Sequence, residues 1–159
     1  MKEPLIVPTT VFRETPEVSF YDATILSSNG CDVVRHGAGA TSPPMDGEYK
    51  QFYVHKYQID YNLCVGGTRV FELIYDGWDE PYHKVRLEPG VGSVEIPVGA
   101  FHRSISGPDG SILINQPIRF PGFSVDTEFI PVSERDNEYI RHVLATVTPV
   151  IWVNSRRIN

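Results

Sequence analysis

From residue 5 to residue 131, short runs rich in Val, Ile, Tyr and Phe alternate with Gly, Pro, Asn-Gly and Asp-Gly breaks at the spacing of β-hairpins. Thirteen Gly and 13 Pro are spread along the chain, and no stretch reads as a linker or a repeat. One late stretch has a helical stripe. Ser133 reads as its N-cap with Asp136 three residues on, and Tyr139, Ile140, Val143 and Leu144 share a face, which predicts a helix over about 134–145. With no βαβ alternation, the fold class is all-β, a sandwich or a barrel. At 159 residues the chain is read as a single domain, 1–159.

The expected strands are residues 5–13, 17–26 and 31–35 (together the N-terminal strands 5–35), then 49–56, 59–65 and 68–75. Residues 82–87, 93–96, 101–106, 112–117 and 124–131 follow, and 146–153 is a β-branched tail. Gly66-Gly67 reads as a tight hairpin turn between 59–65 and 68–75. Residues 36–47 (HGAGATSPPMDG) read as a loop, long enough for a lid or a binding loop. In 49–56, period 2 puts Tyr49, Gln51, Tyr53 and His55 on one face. That face has too many polar groups for a dry core, so it meets water, a ligand or buried hydrogen bonds. Residues 5–26 have no obvious hairpin partner beside them. An unpaired edge is covered when two copies pair, so a homodimer is expected.

Composition excludes several classes of partner. A net charge of −6 and a pI near 5.3 leave no basic face for nucleic acid, and Arg156-Arg157 reads as a solvated chain end. No apolar run approaches the ~20 residues of a membrane span. The opening MKEPLIVPTT, broken by Pro4 and Pro8, lacks the apolar region of a secretion signal. Cys31 and Cys64 do not make a zinc-ribbon pattern, and Cys64, in an apolar run, reads as a buried reduced thiol. The expected location is cytoplasmic, with no nucleic-acid or membrane partner.

Two stretches carry the chemistry. G-EYKQF-Y-V-H-KYQI-D-YNLCVG-G runs from Gly47 to Gly67, and G-VGSVEI-P-V-G-AF-H-RSI from Gly90 to Ile105. Together they resemble the two motifs of the cupin superfamily, G(X)5HXH(X)3,4E(X)6G and G(X)5PXG(X)2H(X)3N. The second stretch keeps Pro97, Gly99 and His102, with one additional residue between Gly90 and Pro97. The first keeps every spacing but has Tyr53 in place of the first His and Asp60 in place of the Glu. The resemblance, over a core of about 47–118, implies a double-stranded β-helix, the cupin jelly-roll barrel. Its site lies at the mouth, where His55 and His102 come together. An immunoglobulin-like sandwich would want a Cys…Trp…Cys arrangement that is absent.

Within the superfamily, three segments resemble the dTDP-4-dehydrorhamnose 3,5-epimerase and dTDP-sugar 3,4-ketoisomerase group: HKYQIDYNLCVGG from His55, GTRVFELIYDGW from Gly67 and IPVGAFHRSI from Ile96. That group has no catalytic metal and uses a barrel His as general base beside a keto group. The resemblance implies an isomerase or epimerase of carbohydrate biosynthesis, acting on a keto-deoxysugar nucleotide without a required cofactor. An imidazole supplies a neutral base near pH 7 at its ordinary pKa.

His55 is the leading base, and His102 a second acid/base or hydrogen-bond donor. Tyr53 is the acid candidate, with Tyr57 as its substitute, because INQPIRFPGF offers Phe120 and Phe123 where the epimerases place a Tyr. Asp60 and Glu72 are candidates to hold the base's tautomer, and Arg69, Arg103 and Arg119 to bind a nucleotide diphosphate. The alternative is a metal-dependent cupin, a dioxygenase or cyclase-like enzyme, holding Fe, Mn, Ni or Zn on His55, Asp60 and His102. A third reading is a non-catalytic cupin that binds a small ligand.

Overall fold

The structure, a computed structural model, describes residues 2–159. Its strands are β1 (Ile6–Val7), β2 (Thr10–Glu14), β3 (Ser19–Asp22), β4 (Asp32–His36), β5 (Thr41–Ser42), β6 (Gln51–Phe52) and β7 (Gln58–Ile74). They continue with β8 (Tyr82–Leu87), β9 (Ser93–Ile96), β10 (Phe101–Asn115), β11 (Ile118–Arg119), β12 (Val132–Ser133), β13 (Val150–Val153) and β14 (Arg156–Arg157). Two helices interrupt them, α1 (Val125–Glu128) and α2 (Glu138–Thr146).

The long strands β7 and β10 are the frame. They run antiparallel from Ile74↔Phe101 to Asn62↔Asn115, and each serves two walls. The first half of β7 pairs with β9 and β11, and its second half with β8. The first half of β10 pairs with β5, and its second half with β4. With β1 on β9 and β13 parallel to β8, one ten-stranded sheet curls round on itself. This is the double-stranded β-helix that the resemblance implies, with its helices at the C-terminal end.

Gly66-Gly67 is not a hairpin turn, because β7 passes straight through it. Register steps from Ile112↔Gly66 to Leu113↔Cys64, which leaves Val65 as an extra residue, and residues 107–110 bulge from β10 opposite Thr68. Gly67 has φ +67°, and a Cβ there would collide with the Gly110 carbonyl oxygen. The glycine is needed for the close approach of two backbones at a bend. The bulge also inverts side-chain parity: Gln58, Asp60 and Asn62 face the barrel cavity before it, Arg69 and Phe71 after it.

The main core takes residues from both sides of that bend. It is built from Phe71, Leu73, Trp78, Val85, Leu87, Val94, Ile96, Leu113 and Trp152. A second cluster docks α2, whose Ile140 and Val143 pack on Phe52, Ile74 and Tyr82. Burying each such aliphatic side chain contributes about 1.5–3 kcal/mol.

Four expectations are corrected. Residues 124–131 contain α1 (Val125–Glu128) and no strand, the helix being started by the Ser124 hydroxyl accepting from Asp126 N at 3.3 Å. Ser133 caps a short 3₁₀ turn, Glu134–Asp136; the cap of α2 is Asn137, whose Oδ1 accepts from Ile140 N at 2.9 Å. The strand over 49–56 shrinks to β6 and an isolated bridge, Tyr53↔His102. Residues 10–22 do have a neighbouring partner: Pro16 turns the chain, Thr15 and Val18 close it, and β2 pairs with β3. Every residue of that hairpin's strands is exposed.

Gly67→Ala tests the bend. It should lower stability by about 2 kcal/mol or more, from a strained φ and a steric collision. The readout is a lower urea midpoint with an unchanged m-value; a wild-type midpoint would mean that the two backbones do not approach in this way.

Candidate active site

The curled sheet encloses a cavity of about 390 Å³. Its wall takes Gln58, Asp60, Asn62, Arg69 and Phe71 from β7, His102 and Ser104 from β10, and Asp32, Val34 and His36 from β4. Within each strand segment the series steps by two residues, as strand geometry requires, and in β7 it changes parity across the bulge. Tyr53 and His55, Ser42 of β5, Leu113 and Asn115 of β10, Arg119 of β11, and Val125 and Phe129 at α1 complete the lining.

Asp60 is the buried hub. Its Oδ1 accepts from Gln58 Nε2 at 2.6 Å and Asn115 Nδ2 at 2.8 Å. Oδ2 is left for two imidazoles, 3.2 Å from His55 Nε2 and 3.8 Å from His102 Nε2. Burial alone would raise the pKa of Asp60; the hydrogen bond from His55 and the histidine charges outweigh it, and the carboxyl is held below its ordinary value.

His55 stands between two carboxylates. Opposite Asp60, its Nδ1 is 3.3 Å from Glu128 Oε2, an ionic contact too far out of line to be a hydrogen bond. Glu128 is itself 1% exposed and accepts the Lys56 N–H at 2.9 Å. Burial works to lower the His55 pKa, but Asp60 and Glu128 prevail and raise it. Phe129 packs edge-on against the rings of His55 and Tyr53, at 5.3 and 5.8 Å.

His102 has the opposite character. Its Nδ1 donates to the Ala100 carbonyl at 3.1 Å, leaving a lone pair on Nε2. Burial first, then the nearby His55 charge, pushes its pKa down to about 4. The two imidazoles, with ring centroids 4.8 Å apart, are therefore shifted in opposite directions, His55 up and His102 down. In this arrangement His102 offers Nε2 as a hydrogen-bond acceptor, beside the sequence expectation of a second acid/base or a hydrogen-bond donor.

Of the residues singled out in the sequence, Tyr53, His55, Asp60, Arg69, His102 and Arg119 meet at this cavity. Glu72 and Arg103 do not. They lie on the opposite face of β7 and β10, where Glu72 takes Lys50 Nζ at 2.9 Å, Arg103 Nη1 at 2.9 Å and Tyr82 Oη at 2.8 Å. That buried cluster fastens the 45–50 segment to the barrel and takes no part in lining the cavity. Tyr57 is half-exposed and packs against Gly122 outside the cavity.

Sequence reasoning missed Glu128 and Phe129, because 124–131 reads as a strand. Ser124 followed by Asp126 and Glu128 is the helix-start pattern that could have placed them. The same three residues that carry the acid–base contacts, His55, Asp60 and His102, offer ligand atoms within 4.8 Å of one another, a set able to hold a divalent cation.

No family model matches the chain, and no curated protein matches it by sequence. Solved structures do match by fold. A sugar 3,4-ketoisomerase, QdtA, from Thermoanaerobacterium thermosaccharolyticum, in complex with TDP, superposes with TM-score 0.61 at 11% identity, over 89% of this chain and 95% of that one. The WlaRB TDP-quinovose 3,4-ketoisomerase from Campylobacter jejuni gives 0.60 at 14%, over 89% and 99%. The dTDP-4-dehydrorhamnose 3,5-epimerase from Elizabethkingia anophelis gives 0.57 at 12%, over 79% and 73%. The cupin barrel of these sugar-nucleotide epimerases and ketoisomerases is the fold of this chain.

The two histidines should separate in an NMR titration of ring resonances. His102 should protonate near pH 4 and His55 above the ordinary 6.5. The signs for stability follow. His102, depressed, makes stability fall as pH drops from about 6.5 towards 4; His55, raised, stabilises fully below about 6.5 and loses that contribution as pH rises through its folded pKa. Glu128→Gln should bring the His55 pKa down. A His55 that titrates at or below 6.5 in the wild type would contradict the two-carboxylate setting.

Proposed function

We propose that the cavity catalyses proton transfer at a carbon next to a ketone, on a keto-deoxysugar nucleotide, as an isomerase or epimerase of carbohydrate biosynthesis. The observation that carries this is a carboxylate-flanked His55 beside a neutral His102 on one cavity wall. A base backed by carboxylates holds a proton taken from carbon more firmly than a free imidazole does. In its neutral form His55 takes the proton, and the electron pair moves onto the carbonyl oxygen to give an enediolate.

His102 Nε2, acceptor only, suits the hydroxyl on the carbon that loses its proton. Return of the proton by His55 to the former carbonyl carbon, with transfer of the hydroxyl proton between the two oxygens, completes an isomerisation. Delivery from the opposite face would invert a centre instead, and Tyr53 is the tyrosine that lines the cavity. Fold neighbours support the substrate class, since one solved ketoisomerase holds TDP-4-keto-6-deoxyglucose. The role of Arg119, which bonds Gln58 and Asp32 at the rim, is to approach the diphosphate.

A second reading has its own observation, the three convergent ligand atoms. A divalent cation on His55, Asp60 and His102 would polarise an oxygen of the substrate. Both readings meet one experiment: deuterium uptake from D₂O into TDP-4-keto-6-deoxyglucose, followed by NMR, with and without a chelator. Uptake should survive chelation, and should fall about 10²- to 10⁴-fold in His55→Asn with little change in melting temperature. His102→Asn should fall by less. Uptake lost on chelation, with stoichiometric metal in the purified protein, selects the metal enzyme; no uptake at all leaves a ligand-binding cupin.

The working unit we propose is a homodimer. The β2–β3 hairpin stands free with Val11, Phe12, Val18, Phe20 and Tyr21 exposed, and a lone two-stranded hairpin is marginal in water. Light scattering at micromolar concentration should give twice the 17.9 kDa chain mass. Phe12→Asp should shift it towards monomer; a monomeric wild type would rule the dimer out.

A further inference from the structure

Arg69 is the largest fully buried side chain among the described residues, 1% exposed, whereas the Arg119 side chain at the rim is 27% exposed. Arg69 lines the cavity two residues past the Gly67 bend. Asp60 and Leu73, the partner of His102, lie further from that bend on either side, so Arg69 marks the bend end, the inner end, of the cavity. Its Nε donates to Ser111 Oγ at 2.9 Å, and its Nη2 to the carbonyls of Ser111 and Val34 at 3.3 and 3.4 Å. Ser106 Oγ braces Ser111 Oγ at 2.7 Å. One edge of the guanidinium is thus clamped in place. Nη1 has no hydrogen-bond partner among the described residues, and no carboxylate there lies within ion-pair distance of Arg69.

The acids on the cavity wall are committed elsewhere. Asp32 is paired with Arg119 at 2.5 Å, and Asp60 is occupied by Gln58, Asn115 and the imidazoles. Two other ionisable groups interact with Arg69: Cys64, whose thiol burial pushes up, and His36, which burial and the Arg69 charge keep neutral, with a pKa near 4. The buried Nδ1 of His36 has no partner either. A cation withdrawn from water without a counter-charge is costly, and a guanidinium fixed on one edge and free on the other has the geometry of an anion-binding fork.

We propose that the inner end of the cavity binds an anionic oxygen group, a carboxylate or a phosphate monoester, on Arg69 Nη1 with His36 as the second contact. This rests on the cavity being the substrate site and sharpens the substrate class to an acidic keto-sugar or a comparable small keto compound. Any diphosphate at the Arg119 rim is then a separate anion. Arg69 pairs with Ser106, and His102 with Leu73 four residues further along β7. That is about 13 Å of strand. The acidic group therefore enters first and sits beyond the reacting carbon.

The test is binding, independent of turnover. Wild-type protein is titrated by NMR with glucuronate, glucose 6-phosphate and glucose, observing the Arg69 Nε–H resonance. At least one acidic sugar should bind tenfold or more tighter than glucose and move that resonance; which one does so distinguishes carboxylate from phosphate. Arg69→Gln should abolish the preference without lowering the melting temperature, and Arg69→Lys should keep part of it.

Equal binding of all three sugars, or a preference that survives in Arg69→Gln, overturns the proposal. If Arg69→Gln does not fold, the wild-type preference and the Arg69 resonance decide. Failure here leaves the deuterium-uptake result standing, and failure of uptake leaves this binding result standing.

Discussion

Two buried carboxylates and one imidazole, Asp60, Glu128 and His55, form the contact on which the site depends. With both acids ionised and His55 protonated the group still has a net charge of −1, in a place where an unpaired charge is expensive. Its remaining lone pairs are met by amides, Gln58 and Asn115 on Asp60 and the Lys56 N–H on Glu128. The group and its partners come from four elements: β7, β10, the link between β6 and β7, and α1. The barrel strands and the late helical turn are therefore coupled through a polar centre, and no one member of it is stable in its buried state without the others.

That coupling explains which parts of the site were legible in the sequence. His55, Asp60 and His102 lie on regular β structure or next to it, so motif spacing placed them together. Glu128 arrives from about seventy residues away on a helical turn, and no periodicity links it to His55. Glu72 shows the reverse error. It has the same parity as Asp60, and twelve residues of unbroken strand would put both on one face. Val65, the extra residue at the bend, inverts the alternation, so Glu72 turns outward to Lys50, Arg103 and Tyr82. The fold class survived this because glycine and proline breaks mark all-β structure whether a glycine pair turns the chain or bends it.

The difference between the two histidines also comes from local backbone. His102 follows the Pro97-to-Ala100 turn, and the Ala100 carbonyl that takes its Nδ1 proton belongs to that turn. Its tautomer is thus set before any substrate binds. His55 has no backbone acceptor of this kind; carboxylates face both of its nitrogens and favour the charged form. One wall consequently offers a fixed lone pair and, 4.8 Å away between ring centres, an imidazole whose protonated form two carboxylates favour. For a reaction that moves one proton from carbon and another between oxygens, two such unlike neighbours are more useful than two equal ones.

The bend that closes the barrel also decides what its inner end can recognise. Had β7 continued as a regular strand, with Val65 taking its place in the alternation instead of bulging, the inward series from Gln58, Asp60 and Asn62 would have reached Thr68, Val70 and Glu72. Arg69 would then have faced away from the cavity. The close approach of Gly67 to Gly110 permits the bulge, the bulge brings Arg69 and Phe71 inward, and Ser111, beside that contact, clamps the guanidinium. A glycine pair that looks like a turn in the sequence thus converts an acidic inner wall into a basic one. With Glu72 in that position a substrate carboxylate would be repelled; with Arg69 there, an uncompensated positive charge is built into the barrel floor, and the chemistry of the ligand that neutralises it is constrained accordingly.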